Sequence, residues 1–411
     1  MPYDHMSRRG QNVLLIGAGM YTCGRGTDGY GTLLPALFQA GRDDPALVGR
    51  ITACSTSRRS IEALAVKADA LGRQLDWRPT IDLWPREGSD PAAYRQLIER
   101  HATASPEDRF DLALVAVPDH LHYAIARELI EAGIHTLLVK PFVTRVEEGR
   151  QLVDLAASRG VLGMVEFHKR WDRSNLTMRD ALAAGRVGQP LYFHIEYSQR
   201  KTIPEDVFAQ WVRDTDIFQY LGVHYVDMVF FLTGALPQRV MATAQNVYLA
   251  EKGIDTPDAI QTIIEWERDG RRFVSTHLTH WVDPNSTTTM SDQKIKVVGT
   301  GGRIECDQKH RGIQIVSDGR GVEDLNPYFS SFFGPPGSDC RFEGYGYQSV
   351  LSFLRDVRDV ATGKRSAASL DGHRPTFRQA LVSTAVVEAN RASLAAGGQW
   401  VAVDPSAGSG C

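Results

Sequence analysis

The chain has 411 residues, long enough for two or three domains and a large buried core. Hydrophobic residues make up 43% and charged residues 23%, the mix of a soluble globular protein. A formal net charge of −3 gives no electrostatic case for nucleic acid or an anionic membrane surface. The five cysteines (Cys23, Cys54, Cys306, Cys340, Cys411) form neither a disulfide framework nor a zinc spacing, which fits a reducing, cytoplasmic compartment. No apolar run approaches the roughly 18 residues that span a bilayer. Arg8-Arg9 ahead of Val13 to Met20, with Cys23 behind, have the outline of an export signal. That apolar stretch is short and Tyr21-Thr22 are poor cleavage-site residues, so the segment reads as a strand and turn.

In chain order, Val13-Leu-Leu-Ile-Gly-Ala-Gly19 is a buried strand running into glycines, and Gly31 to Ala40 has helical spacing. Ile51 to Cys54 is a strand, Ser60 to Leu71 a helix with Ile61, Leu64 and Ala65 on one face, and Pro91 to His101 another helix. Phe110 to Val117 is a strand broken by Pro118, with the helix His122 to Ala132 behind it. Ile134 to Val139, Val146 to Ser158 and Val161 to Phe167 continue as strand, helix, strand. Strands alternating with helices of this length make βαβ units, so the first part is an α/β, doubly wound parallel sheet.

After about residue 170 the pattern changes. Helices Asn175 to Ala184 and Ile217 to Leu232 stand among strand-like runs 191–197, 240–247, 260–266, 273–281, 294–298, 303–306 and 313–316, punctuated by Asp269-Gly270 and Gly301-Gly302. This predicts a second domain of α+β type on an open, mostly antiparallel sheet. Asn326 to Tyr347 reads as a long loop, followed by helices 349–362 and 376–394. The expected boundaries are 10–168 for the first domain, 169–403 for the second, and a disordered tail over 404–411.

Three constellations carry chemistry. Gly17-x-Gly19 ends the first strand: Gly17 suits a tight turn, and Gly19 with Met20 lets backbone N–H groups approach a pyrophosphate. Thr22 stands where a third glycine would be, and Gly31 opens the helix instead, as if Tyr21 to Tyr30 had been inserted. At the end of the next strand, Ser55, Thr56 and Arg58 appear with no Asp or Glu between Arg50 and Ser60. An acidic residue there would bind the ribose of NAD, whereas hydroxyls followed by arginine suit the 2′-phosphate of NADP. The plain alternative is a Ser/Thr cap followed by surface arginines. Thirdly, Lys140-Pro141 follows a parallel strand directly, in a chain with only nine lysines. A partly desolvated ammonium at that edge can polarise or protonate a hydroxyl or carbonyl.

Gly17-Ala-Gly19, Ala116-Val-Pro118, His120-Leu-His122, Glu131-Ala-Gly133, Lys140-Pro141 and Gly222-Val-His224-x-x-Asp227 fall in the order seen in the glucose–fructose oxidoreductase / inositol dehydrogenase (Gfo/Idh/MocA) family, which the chain resembles over residues 12–400. The resemblance implies an N-terminal Rossmann domain, a C-terminal open-faced antiparallel sheet, and a homodimer or homotetramer. It implies hydride transfer between NADP (or NAD) and a secondary alcohol of a sugar, cyclitol or related polyol. Position by position, Lys140 matches the lysine of the family's Glu-Lys-Pro motif and His224 the histidine taken as acid/base. Val117, Pro118 and His122 match the loop beside the nicotinamide ribose, and His168 stands where many members carry an asparagine near the nicotinamide.

The departures are Val139 in place of the motif's glutamate and Tyr220 where inositol-type enzymes carry an aspartate. Residues four apart share a helix face, so Tyr220 is expected in the pocket of His224 as a third catalytic group. Asp227 is expected to pack or cap locally. Lys169 and Trp171, with Arg170, Lys201 and Trp211 beside them, are further substrate candidates, against a bland reading as solvent-facing charges and core tryptophans. Two other functions fit the same residues: an enzyme that holds NAD(P) tightly and oxidises its sugar only transiently, and a non-catalytic ligand sensor.

Overall fold

The computed structural model describes residues 9–209 and 211–404. The tail expected to be disordered lies, beyond Asp404, outside the described residues. Two compact units divide the chain. One takes the described part of Met1–Phe142 with Glu148–Trp171 and Tyr328–Phe377; the other takes Val143–Glu147, Asp172–Pro327 and the described part of Arg378–Cys411.

In the first unit come β1 (Asn12–Ile16), α1 (Met20–Cys23), α2 (Leu33–Asp43), β2 (Arg50–Cys54), α3 (Arg58–Leu75), β3 (Thr80–Trp84), α4 (Ala93–Thr103) and β4 (Leu112–Val115). They are followed by α5 (His122–Glu131), β5 (His135–Val139), α6 (Val146–Arg159) and β6 (Gly163–Glu166). The six strands are parallel and ordered β3-β2-β1-β4-β5-β6, the doubly wound Rossmann arrangement. β1 and β4 are buried along their whole length, which is why both read as unbroken apolar runs. α3 buries Ile61, Leu64, Ala68, Leu71 and Leu75, one stripe at helical spacing.

The second unit holds α7 (Arg173–Ala183), β7 (Pro190–Arg200), α8 (Val223–Thr233), β8 (Leu236–Gln245), α9 (Tyr248–Glu251), β9 (Ala259–Arg268), β10 (Arg271–Asp283), β11 (Ser291–Gly299), β12 (Gly302–Asp307) and the hairpin β13 (Ile313–Ser317) and β14 (Gly321–Leu325). Burial alternates strictly along β9, with Ile260, Thr262, Ile264 and Trp266 inward.

Two stretches complete the molecule. The first is β15 (Ser331–Phe333), β16 (Arg341–Glu343) and α10 (Tyr345–Ala361); the second is α11 (Phe377–Ala395) and β17 (Val401–Ala402). The large sheet runs β12-β11-β7-β10-β9-β8-β17. It is antiparallel at every pairing but one: β7 and β10 run parallel, because the chain crosses over through α8 and returns by the β8–β9–β10 meander. The sheet is therefore mixed.

The expected break at residue 168/169 differs from these units: residues 169–171 group with the first unit and 143–147 with the second, and the largest difference lies further along. Residues 328–377 belong with the parallel sheet, not with the second unit. Phe342, Val350, Leu351, Phe353, Leu354 and Val357 sit in one apolar cluster with Leu15, Leu33, Leu37, Phe38 and Ile51. The expected long loop over 326–347 contains the β15–β16 hairpin, whose Phe332 packs at a tilt against Phe342, ring centres 4.9 Å apart. Further along, the chain around Pro375 and Thr376 covers the free edge of the Rossmann sheet at β6, where Val165 N–H donates to Pro375 O at 2.8 Å.

Candidate active site

The crevice at the carboxyl ends of β1 and β4 is where the strand order reverses, the ligand position of such sheets. Gly17 sits there at φ +103°, and a Cβ on it would lie 2.0 Å from the Ala116 carbonyl oxygen. Only glycine fits that turn. Around Gly19, by contrast, a Cβ would meet nothing within 4 Å, so the space beside the first N–H groups of α1 is open to a phosphate-sized group. These two glycines fit a dinucleotide cofactor.

The inserted turn is a loop spliced into the helix that follows β1. α1 is one turn long and ends at Gly24 (φ +71°); Thr32 N–H then donates to Tyr21 O at 2.7 Å, closing the excursion at the start of α2. The excursion leans on α3. Lys67 Nζ donates to the carbonyls of Thr27 (2.8 Å) and Gly29 (2.7 Å), and Arg25 Nη1 donates to Ser60 Oγ at 2.6 Å.

At the end of β2, Ser57 is the N-cap of α3, its Oγ accepting the Ser60 N–H. Arg58 pairs with Glu62 at 2.9 Å on the surface, and Thr56 and Arg59 are exposed. The plain cap-and-surface-arginine arrangement is thus present at Ser57 and Arg58, while Ser55 and Thr56 stand at the strand end itself. Asp90 is the nearby acidic group that the strand-end reading left out: its N–H donates to Thr56 O at 2.9 Å.

His122 is buried and ties two loops together, its Nδ1 2.8 Å from Pro141 O and its Nε2 3.1 Å from Val117 O. Val117 and Pro118 are thereby held to the segment that carries Lys140. Lys140 itself keeps part of its surface open. Burial of the ammonium pulls its pKa from 10.5 down to about 8, against the opposing charges of Asp119 and Glu166. His168 follows β6, with its ring stacked on Tyr345 at 5.6 Å and its Nδ1 2.9 Å from Glu166 Oε2.

Lys169 and Arg170 are both buried, so neither faces solvent as a charged residue ordinarily does. Trp171 is half-buried and packs against the apolar core of the first unit.

Tyr220 and His224 belong to the second unit. A π-helical turn, Phe218–Gly222, leads into α8, so Tyr220 and His224 flank a change of helix type rather than sharing regular α-helix. His224 is buried, its ring 6.1 Å from that of Tyr197, whereas Tyr220 is half-exposed and meets Phe208 edge-on at 4.7 Å. Asp227 is buried on the same helix. Trp211 packs at a tilt against Phe208, ring centres 4.2 Å apart, and Lys201 Nζ lies 4.0 Å from the centre of the Tyr248 ring.

Residues 80–167 match the oxidoreductase family model with an NAD-binding Rossmann fold, and residues 175–305 match the GFO/IDH/MocA C-terminal domain. The two matches together span more than half of the chain, which belongs to the Gfo/Idh/MocA family of oxidoreductases. An uncharacterised oxidoreductase of Schizosaccharomyces pombe is 24% identical over 68% of this chain and 79% of its own. The NADP(+)-dependent scyllo-inositol 2-dehydrogenase of Bacillus subtilis is 29% identical over 38% of this chain and 43% of its own. Among solved structures, an inositol dehydrogenase homologue from Azotobacter vinelandii, complexed with NADH and myo-inositol, superposes with a TM-score of 0.69 at 19% identity, covering 96% of this chain and 98% of that one. No helix among the described residues is long and apolar enough to cross a membrane.

Proposed function

We propose that the protein moves a hydride between a nicotinamide cofactor and a secondary alcohol or ketone of a sugar, cyclitol or related polyol, with Lys140 and His224 handling the proton. The observation that carries this reading is Lys140: a lysine at the carboxyl end of β5, an inner Rossmann strand, with its pKa drawn down to about 8 by burial. A bound nicotinamide supplies the hydride acceptor or donor. Everything else falls to the chain. As an ammonium, Lys140 polarises the C–O bond and donates a hydrogen bond to its oxygen; near pH 8 it exchanges that proton readily. His224 serves as the base close to neutral pH. Tyr220 lines the substrate side and offers a phenol to a substrate hydroxyl, together with Lys169 and Trp171. Gly17, Gly19 and Met20 take the pyrophosphate; Val117, Pro118, His122 and His168 border the nicotinamide end.

NADP is favoured over NAD. Ser55, Thr56 and Arg58 offer hydroxyls and a cation where a ribose-binding carboxylate would stand, and Arg25 is brought alongside by the inserted turn. The working form is a homodimer or homotetramer in the cytoplasm.

Lys140→Met should lower turnover sharply while leaving cofactor affinity largely intact. Unchanged turnover in that variant removes Lys140 from the mechanism. Titration with NADPH and NADH by nicotinamide fluorescence, after a denatured sample has been checked for retained cofactor, tests the rest. Tighter NADPH binding to empty protein supports an exchanging dehydrogenase, and bound, non-exchanging cofactor points to the internal-redox enzyme instead. Binding of neither cofactor leaves the ligand sensor.

A further inference from the structure

β6 ends on a carboxylic side chain with no role assigned so far. Glu166 is wholly buried and stands opposite Val139 in the parallel β5–β6 ladder, one residue from Lys140. Its Oε2 accepts a hydrogen bond from the Tyr21 hydroxyl at 2.8 Å and lies 2.9 Å from His168 Nδ1. Its Oε1 is buried with no hydrogen-bond partner among the described residues. A carboxylate taken out of water with one oxygen unsatisfied is costly unless a cation answers it. The lysine that feels its charge is Lys140.

We propose that Glu166 is the positioning residue for Lys140, the counter-charge that fixes where the ammonium points, and that Tyr21 and His168 hold this carboxylate in place from its other oxygen. The proposal rests on the reading of Lys140 as a proton-transfer group. It also gives the spliced turn after β1 a purpose. The turn begins at Tyr21, and α1 delivers that phenol to Glu166. The charge next to Lys140 thus comes from across the ladder, because the residue before it in its own strand is Val139.

The charged and titratable groups around the pair include Asp119 from the turn after β4, Tyr21 from α1, His168 from the turn after β6 and Tyr345 from α10. Burial lowers the Lys140 pKa while Asp119 and Glu166 raise it. Removing Glu166 therefore leaves burial less opposed, and the ammonium must lose its proton at a lower pH.

The test is a 13Cε titration of lysine-labelled, cofactor-free full chain, with the Lys140 signal assigned by its loss in Lys140→Met. Glu166→Gln should lower the Lys140 midpoint by about one pH unit or more. Glu166→Asp, set back by one methylene, should lower it less. Adding Val139→Glu to Glu166→Gln returns a carboxylate from the neighbouring strand and should bring the midpoint back up. In the loaded enzyme, the limb of the kcat pH profile assigned to Lys140 should move with the midpoint while NADPH affinity stays put. An unmoved midpoint in whichever of the two Glu166 variants keeps a native circular dichroism spectrum overturns the proposal. The two claims fail separately. Wild-type turnover in Lys140→Met ends the role of Lys140 whatever Glu166 does; lost turnover there with an unmoved midpoint in Glu166→Gln removes only Glu166.

Discussion

Substituting Gly17 by alanine would set a Cβ 2.0 Å from the Ala116 oxygen and hold a side chain at φ +103°. Strain and overpacking together should cost about 2–4 kcal/mol of stability, read as a fall in the urea midpoint. Gly19→Ala is the contrasting case. Its φ of −87° is ordinary and its new methyl meets no protein atom, so the midpoint should hold while NADPH affinity falls. A Gly19→Ala protein that binds NADPH normally would take the pyrophosphate away from this turn. Gly17, Gly19 and Lys140 were legible in the sequence because each breaks an apolar strand at its carboxyl end. Glu166 was not: a lone acid closing a strand carries no spacing signal, and its meaning comes from Val139 across the ladder and Tyr21 far along the chain. The burial of Lys169 was not legible either, since nothing in its neighbours foretells it.

At the level of elements, the buried strands β1, β2, β4 and β5 were legible because both faces are covered and the apolar run has no gaps. β3 escaped notice for the opposite reason: Thr80–Trp84 is an edge strand, half-exposed and interrupted by Asp82. β14 and the β15–β16 hairpin are short and polar or Gly/Pro-rich, and the π-helical turn before α8 has no composition of its own. His135, at the start of β5, carries a prediction on this scale. Its Nδ1 accepts the Leu162 N–H at 2.9 Å, and burial pushes its pKa down to about 4. The folded state holds the ring neutral while the unfolded chain protonates it near pH 6.5. Stability is therefore full above that pH and drains as the pH falls from 6.5 toward 4, by up to about 1.4 kcal/mol per pH unit from this residue. His277, buried and pushed to about 3, extends the same loss further into acid. His135→Gln, which keeps an acceptor for Leu162, should flatten the acid side of a Tm-against-pH curve. An unchanged acid slope would mean that His135 already protonates in the folded state.

On the scale of the whole molecule, the Rossmann unit is assembled from separated stretches of chain, with Tyr328–Phe377 as its last part. Cutting the chain after Pro327 would remove Phe342, Val350, Phe353 and Leu354 from a cluster that includes Leu15, Leu37 and Phe38. Each lost large side chain typically costs 2–5 kcal/mol, so such a fragment should show no cooperative urea transition. A cooperative transition in it would mean that the parallel sheet stands without its last stretch. The sequence pattern placed that stretch in the wrong domain because chain order is all that a single sequence displays, and α10 has the same amphipathic look whichever sheet it covers.

The same discontinuity sets a timetable for synthesis. A ribosome adding about 5–20 residues per second needs roughly 10–50 s to go from the end of β5 to the start of α11. For most of that interval the nascent Rossmann strands lack Phe342, Val350, Phe353 and Leu354, which share a cluster with Leu15, Leu37 and Phe38. The protein is committed to finishing its first domain almost last, which makes the emerging N-terminal half a natural client for chaperones that shield apolar surface.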